Sequence, residues 1–328
     1  MQIEQKTVKN ILVVRNDRFG EFLLNIPALR ALKEAYPAAK ITAVVDPYVT
    51  GLAQRVPFID QVLECCKRGN SFFDKLGLIR NLQKMRPDIA VILNPSKEFN
   101  LTTFLAGIPV RAGYNRKWGF LLTHKIKDRK YLGERHEVEY NLELVALLGA
   151  AAKDRSLILS LEDTLAKDLF GGFHIGDQAD LVALHPWTSD PVKQWPQERF
   201  RELAGRLAGM HNIKLLIVGG KEEQGESVKV YSGLTQGVVD LTGRTSLVQL
   251  AAILKRCRLL ISGDSGPVHL ACAVNTQVVA LFRGDIPAKA SKRWGPWGKG
   301  NYVIEKDNLA DITVEEVFCR VKEVLKRI

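Results

Sequence analysis

Short apolar runs that stop abruptly at turns constrain this chain more than any other feature. Ile11-Leu12-Val13-Val14, Ile41-Thr42-Ala43-Val44-Val45 and Ile89-Ala90-Val91-Ile92-Leu93 follow one another with room for a helix between each pair. A run that is apolar at nearly every position has both faces covered, as a strand has in a parallel sheet layered with helices. The pattern then restarts with Leu181-Val182-Ala183-Leu184, Lys214-Leu215-Leu216-Ile217-Val218, Leu259-Leu260-Ile261 and Val278-Val279-Ala280-Leu281-Phe282. The expected fold class is therefore α/β, in two parallel-sheet halves.

Helices are expected at about 26–35, 198–208, 224–234 and 246–256. A last amphipathic helix is expected over 313–328, capped by Thr313 with Glu315 and Glu316 in its first turn. Gly171-Gly172 and Gly176-Asp177 break the periodicity between the halves. The expected division is a first domain over 1–170, a second over 171–310, and a closing helix over 311–328. A chain of 328 residues can give each half its own core. No apolar run approaches the roughly 20 residues of a membrane span. The start, Met1-Gln2-Ile3-Glu4-Gln5-Lys6, has no signal-peptide core, so a cytoplasmic chain is expected. Cys65, Cys66, Cys257, Cys272 and Cys319 show no metal-ligand spacing and are expected as free buried thiols.

The net charge of +11 is partly gathered in one stretch, where Arg111, Arg116, Lys117, Lys125, Lys127, Arg129, Lys130 and Arg135 face only Asp128 and Glu134. Such a stretch favours a polyanion: nucleic acid, an anionic membrane face or a phosphorylated glycan. No nucleic-acid motif accompanies it, and Trp118 and Phe120 among the bases suit an interfacial or sugar-facing loop.

Ligands of open parallel sheets gather beyond the carboxyl ends of the strands, so the residues after each run are the candidates for a site. Gly263-Asp264-Ser265-Gly266-Pro267-Val268-His269 turns a strand directly into a helix. Asp264 and Ser265 are N-cap types and Pro267 fits a first turn, which leaves amide hydrogens and the positive helix end for a phosphate. His269 falls in the same turn. Lys193 and the Gly219-Gly220-Lys221-Glu222-Glu223 turn complete a set suited to a nucleotide diphosphate, with the lysine for charge and Glu223 for ribose hydroxyls. In the first half, Arg15-Asn16-Asp17-Arg18-Phe19-Gly20-Glu21 brings carboxylates to a glycine turn. His185 is read as a core histidine outside the site.

Arg15 to Glu21, with Pro27-Ala28-Leu29-Arg30-Ala31-Leu32-Lys33 and Pro37 behind it, resembles the N-terminal signature of glycosyltransferase family 9, the ADP-heptose:lipopolysaccharide heptosyltransferases and their relatives. Lys193-Gln194-Trp195-Pro196, the Gly219-Gly220 turn and Gly263 to Leu270 match that family in the same order, over nearly the whole chain. The resemblance implies a GT-B architecture: two Rossmann-like domains facing across a cleft, with the last helix crossing back to the first. It implies inverting, metal-independent transfer from ADP-heptose to a lipopolysaccharide core sugar, with no cofactor beyond the nucleotide sugar itself. The family's basic aspartate falls at Glu21, and Asp17 is the alternative base. By the same carry-over Thr188 and His269 would touch phosphate, Asp264 a sugar hydroxyl, and Glu223 or Glu222 the ribose. Lys193, Ser265 and Gly266 would stabilise the departing diphosphate. Arg15, Arg18, Arg116, Lys117 and His136 are expected on the acceptor side, where an anionic glycolipid would be met at the inner membrane surface. Trp187 departs from the small or hydroxyl residue usual there. A monomer is expected, with no nucleic-acid partner. A non-catalytic glycolipid or nucleotide-sugar binding protein, and a GT-B epimerase or hydrolase, are the alternative readings.

Overall fold

The computed structural model describes residues 5–65, 72–173, 175, 180–234 and 237–327. They divide into two units, Met1–Ser160 and Leu161–Ile328. The first runs β1 (Asn10–Val14), α1 (Phe19–Leu23), α2 (Ile26–Ala35), β2 (Lys40–Val45), α3 (Thr50–Ala53), β3 (Gln61–Glu64), α4 (Phe72–Met85), β4 (Ile89–Ile92), α5 (Lys97–Leu105), β5 (Val110–Tyr114), β6 (His124–Ile126) and α6 (Glu137–Ala146). The second runs α7 (Asp163–Gly172), β7 (Asp180–His185), α8 (Gln197–Ala208), β8 (Ile213–Ile217), α9 (Val228–Tyr231), β9 (Val238–Asp240), α10 (Leu247–Arg256), β10 (Leu259–Gly263), α11 (Gly266–Ala273), β11 (Gln277–Arg283), α12 (Ser291–Trp294), β12 (Tyr302–Lys306) and α13 (Val314–Arg327).

Both sheets are parallel throughout and share one winding. The first is ordered β3-β2-β1-β4-β5-β6. The second, read from its β9 edge, is β9-β8-β7-β10-β11-β12. In each, the chain builds outward from a central strand, returns, and builds the other way. The loops at the return diverge and open a crevice at the carboxyl edge, between β1 and β4 and between β7 and β10. The central strands are the apolar runs read from the sequence: β4 and β10 are buried at every position. Each such Val, Ile or Leu contributes about 1.5–3 kcal/mol on leaving water.

Two expectations are corrected. The division falls at Ser160 and Leu161 rather than at 170/171, because α7 packs on α10, with Lys255 Nζ 2.7 Å from Asp163 Oδ1. Gly176-Asp177 lies outside the described residues. The helix expected over 224–234 contracts to Val228–Tyr231, since Gly225 (φ +98°) and Gly233 (φ +87°) adopt left-handed backbone that ends it on both sides. In α13, Val314, Val317, Val321 and Val324 are buried in one core with Val182, Leu184 and Ile261. Within the second unit its apolar stripe packs on α8 and β11. Thr313 caps this helix as expected, donating its own N–H to Glu316 and accepting from Glu316 N at 3.2 Å.

Among the described residues no cysteine forms a disulfide: Cys65 and Cys257 are buried, Cys272 and Cys319 are partly exposed, and Cys66 lies outside the described residues. Among the described residues no helix is long and apolar enough to cross a membrane.

Candidate active site

At the carboxyl end of β1 the chain brings ionisable groups under cover. Arg15, 4% exposed, donates from Nε to Asp17 Oδ1 at 2.7 Å and from Nη1 to Leu93 O at 3.4 Å, which ties the loops after β1 and β4 together. The same Nη1 lies 3.5 Å from Glu137 Oε1. Glu137, 1% exposed at the start of α6, also takes Lys130 Nζ at 2.5 Å. Lys130 reaches Asn141 Oδ1 at 3.4 Å and lies 4.4 Å from the centre of the Tyr114 ring. Asn141 in turn donates to Leu24 O, beside α1. Burial works against the charge of Arg15, but Asp17, Glu137 and Glu21 outweigh it and raise its pKa. Lys130 is thereby removed from the basic surface stretch in which the sequence places it.

Glu21 sits on α1, one turn beyond Asp17 and half-buried. Burial raises its carboxyl above the ordinary 4.5, the nearby charge of Asp17 raises it further, and Arg15 and Arg18 pull the other way. The two carboxylates thus differ in kind. Asp17 is held by the Arg15 guanidinium, whereas the Glu21 carboxyl is shifted first by burial, with its own backbone N–H among the groups that pull it back. Asn25 fixes the segment, its Nδ2 donating to Glu21 O and Phe22 O while its backbone starts α2. Arg18 is exposed beside the pair. His136 is the N-cap of α6, its Nδ1 accepting from Val138 N at 3.2 Å. Arg116 and Lys117 lie on the exposed tip after β5, where Arg116 pairs with Asp128 at 3.1 Å and Lys117 Nζ donates to Pro95 O, on the loop after β4, at 3.0 Å.

The second crevice gathers the other set. Lys193 Nζ lies 2.5 Å from Asp264 Oδ2, with both side chains largely covered. Gly266 is the first residue of α11 and Ser265 its N-cap. The Ser265 side chain makes no capping bond. Instead its Oγ meets Ser262 Oγ at 2.8 Å and His185 Nδ1 at 3.2 Å, and Ser262 closes the triangle to His185 at 3.1 Å. Burial lowers the His185 pKa to about 4, so near neutral pH this anchor is an uncharged ring. His185, set aside as a core histidine, is buried indeed, but it positions a site serine. The signal for it was its place as the last residue of a central strand.

Thr188 Oγ1 donates to Asp190 O, and Gln194 clamps the same loop by accepting from Thr188 N and donating to Pro186 O and Trp195 O. From behind, Lys289 holds Asp190 at 2.7 Å and Arg283 donates to Val192 O at 3.0 Å. A Cβ on Gly263 would lie 3.1 Å from Thr188 Cγ2, so the glycine lets this loop close down on β10. Trp187 is 6% exposed and lies over Gly219, whose Cβ would fall 2.7 Å from the ring. The departure at this position is therefore a packing residue. Glu223 Oε2 accepts from Gly220 N at 2.7 Å, Glu222 is exposed, and His269 is buried in the first turn of α11.

Two sheets of Rossmann-like winding thus each end in a crevice, one with the Asp17 and Glu21 carboxylates and the other with Lys193 beside the start of α11. The model of glycosyltransferase family 9 (heptosyltransferase) matches residues 76–321, and the chain belongs to this family. It is 24% identical over 290 residues to lipopolysaccharide heptosyltransferase 3 of Escherichia coli (strain K12), covering 85% of this chain and 82% of that one. Among solved structures it is similar to E. coli ADP-heptose lps heptosyltransferase II, with a TM-score of 0.85, 21% identity and coverage of 97% and 99%. It is also similar to E. coli heptosyltransferase WaaC with ADP, with a TM-score of 0.77, 21% identity and coverage of 96% and 99%. The family match takes in Lys193 and the Asp264–His269 turn but begins after Glu21, so the carboxylate at the first edge is argued from its own geometry.

That geometry predicts a pH profile. A base acts only when ionised, so activity is expected to fall as pH drops through the raised Glu21 value, above 4.5. Asp17→Asn removes one cause of the rise, and the acid limb of kcat/KM should move to lower pH. An unmoved limb in this variant would detach Asp17 from the titrating group.

Proposed function

We propose that this chain transfers a heptose from ADP-heptose to a lipopolysaccharide core acceptor, with inversion and without a metal. The observation that carries the reading is Lys193, paired with Asp264 at the start of α11, where the positive helix end favours a phosphate. A diphosphate held there would shed its growing charge onto the ammonium and the helix start. Ser265, oriented by His185, would add a hydroxyl, and His269 and Thr188 would lie near the phosphates. Glu223, or the exposed Glu222, would meet the ribose.

In the reaction Glu21 takes the proton of the acceptor hydroxyl as its oxygen attacks the anomeric carbon. The bond to the β-phosphate breaks with its electron pair on ADP, and single-step attack from the opposite face inverts the centre. The acceptor is an anionic glycolipid at the inner membrane surface, and Arg18, Arg116 and Lys117 are the bases placed to meet it.

The reading is tested by incubating the protein with ADP-heptose and a heptose-deficient lipopolysaccharide core, with and without a chelator. UDP- and GDP-sugars run alongside as rival donors. Transfer that survives chelation, prefers the ADP-sugar and gives the opposite anomeric configuration is expected. Donor consumption without acceptor would replace transfer by hydrolysis or epimerisation, and binding without turnover would leave a sensor.

A further inference from the structure

An aromatic pair stands at the same sheet edge as the carboxylates of the first unit. β1 and β2 are parallel neighbours, with Val14 opposite Val44, and Arg15 N donates to Val44 O at 3.0 Å. The loops that follow them therefore leave one carboxyl edge side by side. One carries Asp17, Phe19 and Glu21 into α1, and the other carries Asp46-Pro47-Tyr48-Val49. The turn Pro47–Val49 packs on α1. There the Phe19 and Tyr48 rings meet edge to face, with centroids 6.2 Å apart and planes at 73°.

Phe19 is half-buried, but Tyr48 remains 63% exposed. Its backbone is held nonetheless. Pro47 fixes the first position of the turn, Asp46 Oδ1 accepts from Tyr48 N at 3.1 Å, and Val49 is fully buried next to it. Thr50 Oγ1 donates to Glu64 Oε1 at 2.8 Å, which ties the following residue to β3. A phenol on a fixed turn has only two torsions left to lose, so it receives a ligand at little entropic cost. A single exposed aromatic is ordinary on a protein surface. This one shares its edge with Glu21, and exposed Arg18 and half-buried Asp46 belong to the same two loops. A sugar ring presents C–H bonds on its faces and hydroxyls around its rim. The C–H bonds are drawn to the electron-rich face of an aromatic ring, while carboxylates and a guanidinium suit the hydroxyls and any anionic substituent. A hydrocarbon chain would also suit the ring, but it would have to cover the carboxylates of Asp17, Glu21 and Asp46, which a hydroxylated ring satisfies instead.

We propose that Tyr48 is the platform on which a sugar ring of the acceptor lies while its hydroxyl faces Glu21. The proposal rests on the transfer reading, which makes that ring the acceptor's, and adds the residue that selects its face. The full chain is titrated with a heptose-deficient lipopolysaccharide core oligosaccharide freed of its lipid, and transfer from ADP-heptose to it is followed in parallel. Tyr48→Ala should weaken oligosaccharide binding about 5–10-fold, the worth of one aromatic stack, and raise the acceptor KM by the same factor. Tyr48→Phe, which keeps the ring, should bind like the parent. Neither should move ADP affinity or the melting curve, since the side chain is exposed. Binding unchanged in Tyr48→Ala, or absent in the parent, would overturn the proposal. An equal loss in Tyr48→Phe would overturn it too, by assigning the effect to the phenolic hydroxyl. So would a loss of ADP affinity or melting temperature in step with oligosaccharide binding, which would reduce Tyr48 to a structural role. Tyr48-dependent binding in a parent that transfers nothing would strike the transfer reading and leave the platform standing.

Discussion

Glu21→Gln is expected to lower kcat by about 10²–10⁴-fold, the range of a lost general base, while leaving nucleotide binding intact. Glutamine keeps the size and hydrogen-bonding shape of the side chain but cannot accept a proton. The same variant should melt higher at neutral pH. Glu21 has a raised pKa in the fold, so the stability this gives is present below 4.5 and lost as pH rises through the folded value. At neutral pH the ionised, half-buried carboxylate is a burden that glutamine removes. Thermal melts at acid and neutral pH, beside single-turnover transfer rates, check both halves. Full turnover in the variant would move the base elsewhere, and the same loss in Asp17→Asn alone would move it to Asp17.

The second large effect lies behind the carboxylates. Glu137→Gln takes from Arg15 and Lys130 the buried carboxylate they share. Removing one member of a buried ionic group leaves charge without a partner, a loss of about 3–5 kcal/mol. In a protein of this size that is on the order of 10 °C in melting temperature. Lys130→Met should lose less, because Glu137 keeps Arg15. If Glu137→Gln melts with the parent, the network is incidental to stability. Should both variants fall equally, the Lys130 contact carries the effect, and Arg15 is held by Asp17 and Leu93 O alone.

Much of the fold was legible because the central strands carry runs apolar at nearly every position, as a doubly covered parallel sheet requires. Five strands escaped notice: inner β5, whose run is broken by Arg111 and Gly113, and the edge strands β3, β6, β9 and β12. β3 (Gln-Val-Leu-Glu), β6 (His-Lys-Ile) and β12 (Tyr-Val-Ile-Glu-Lys) are short and keep polar or charged residues because one side meets solvent. The carboxyl-edge rule found Arg15, Asp17, Glu21, Lys193, Asp264 and Ser265, which the fold brings to two crevices. It did not find Glu137, Asn141, Asn25 or Ser262, which act by holding those residues, and no local pattern in the chain marks such partners. Lys130 shows the limit most clearly. In the sequence it is one base in a run of bases, and only its burial beside Glu137 and Tyr114 separates it from its neighbours.

The contact between Lys193 and Asp264 also bears on what this loop attracts. With its ammonium already matched, the loop advertises little net charge, and a stray chloride or bicarbonate finds no standing bait. A guest must out-compete a resident carboxylate for the same cation, which favours visitors bearing two or more negative charges. Once displaced, Asp264 is at liberty to accept from whatever hydroxyl the visitor carries beside its phosphorus.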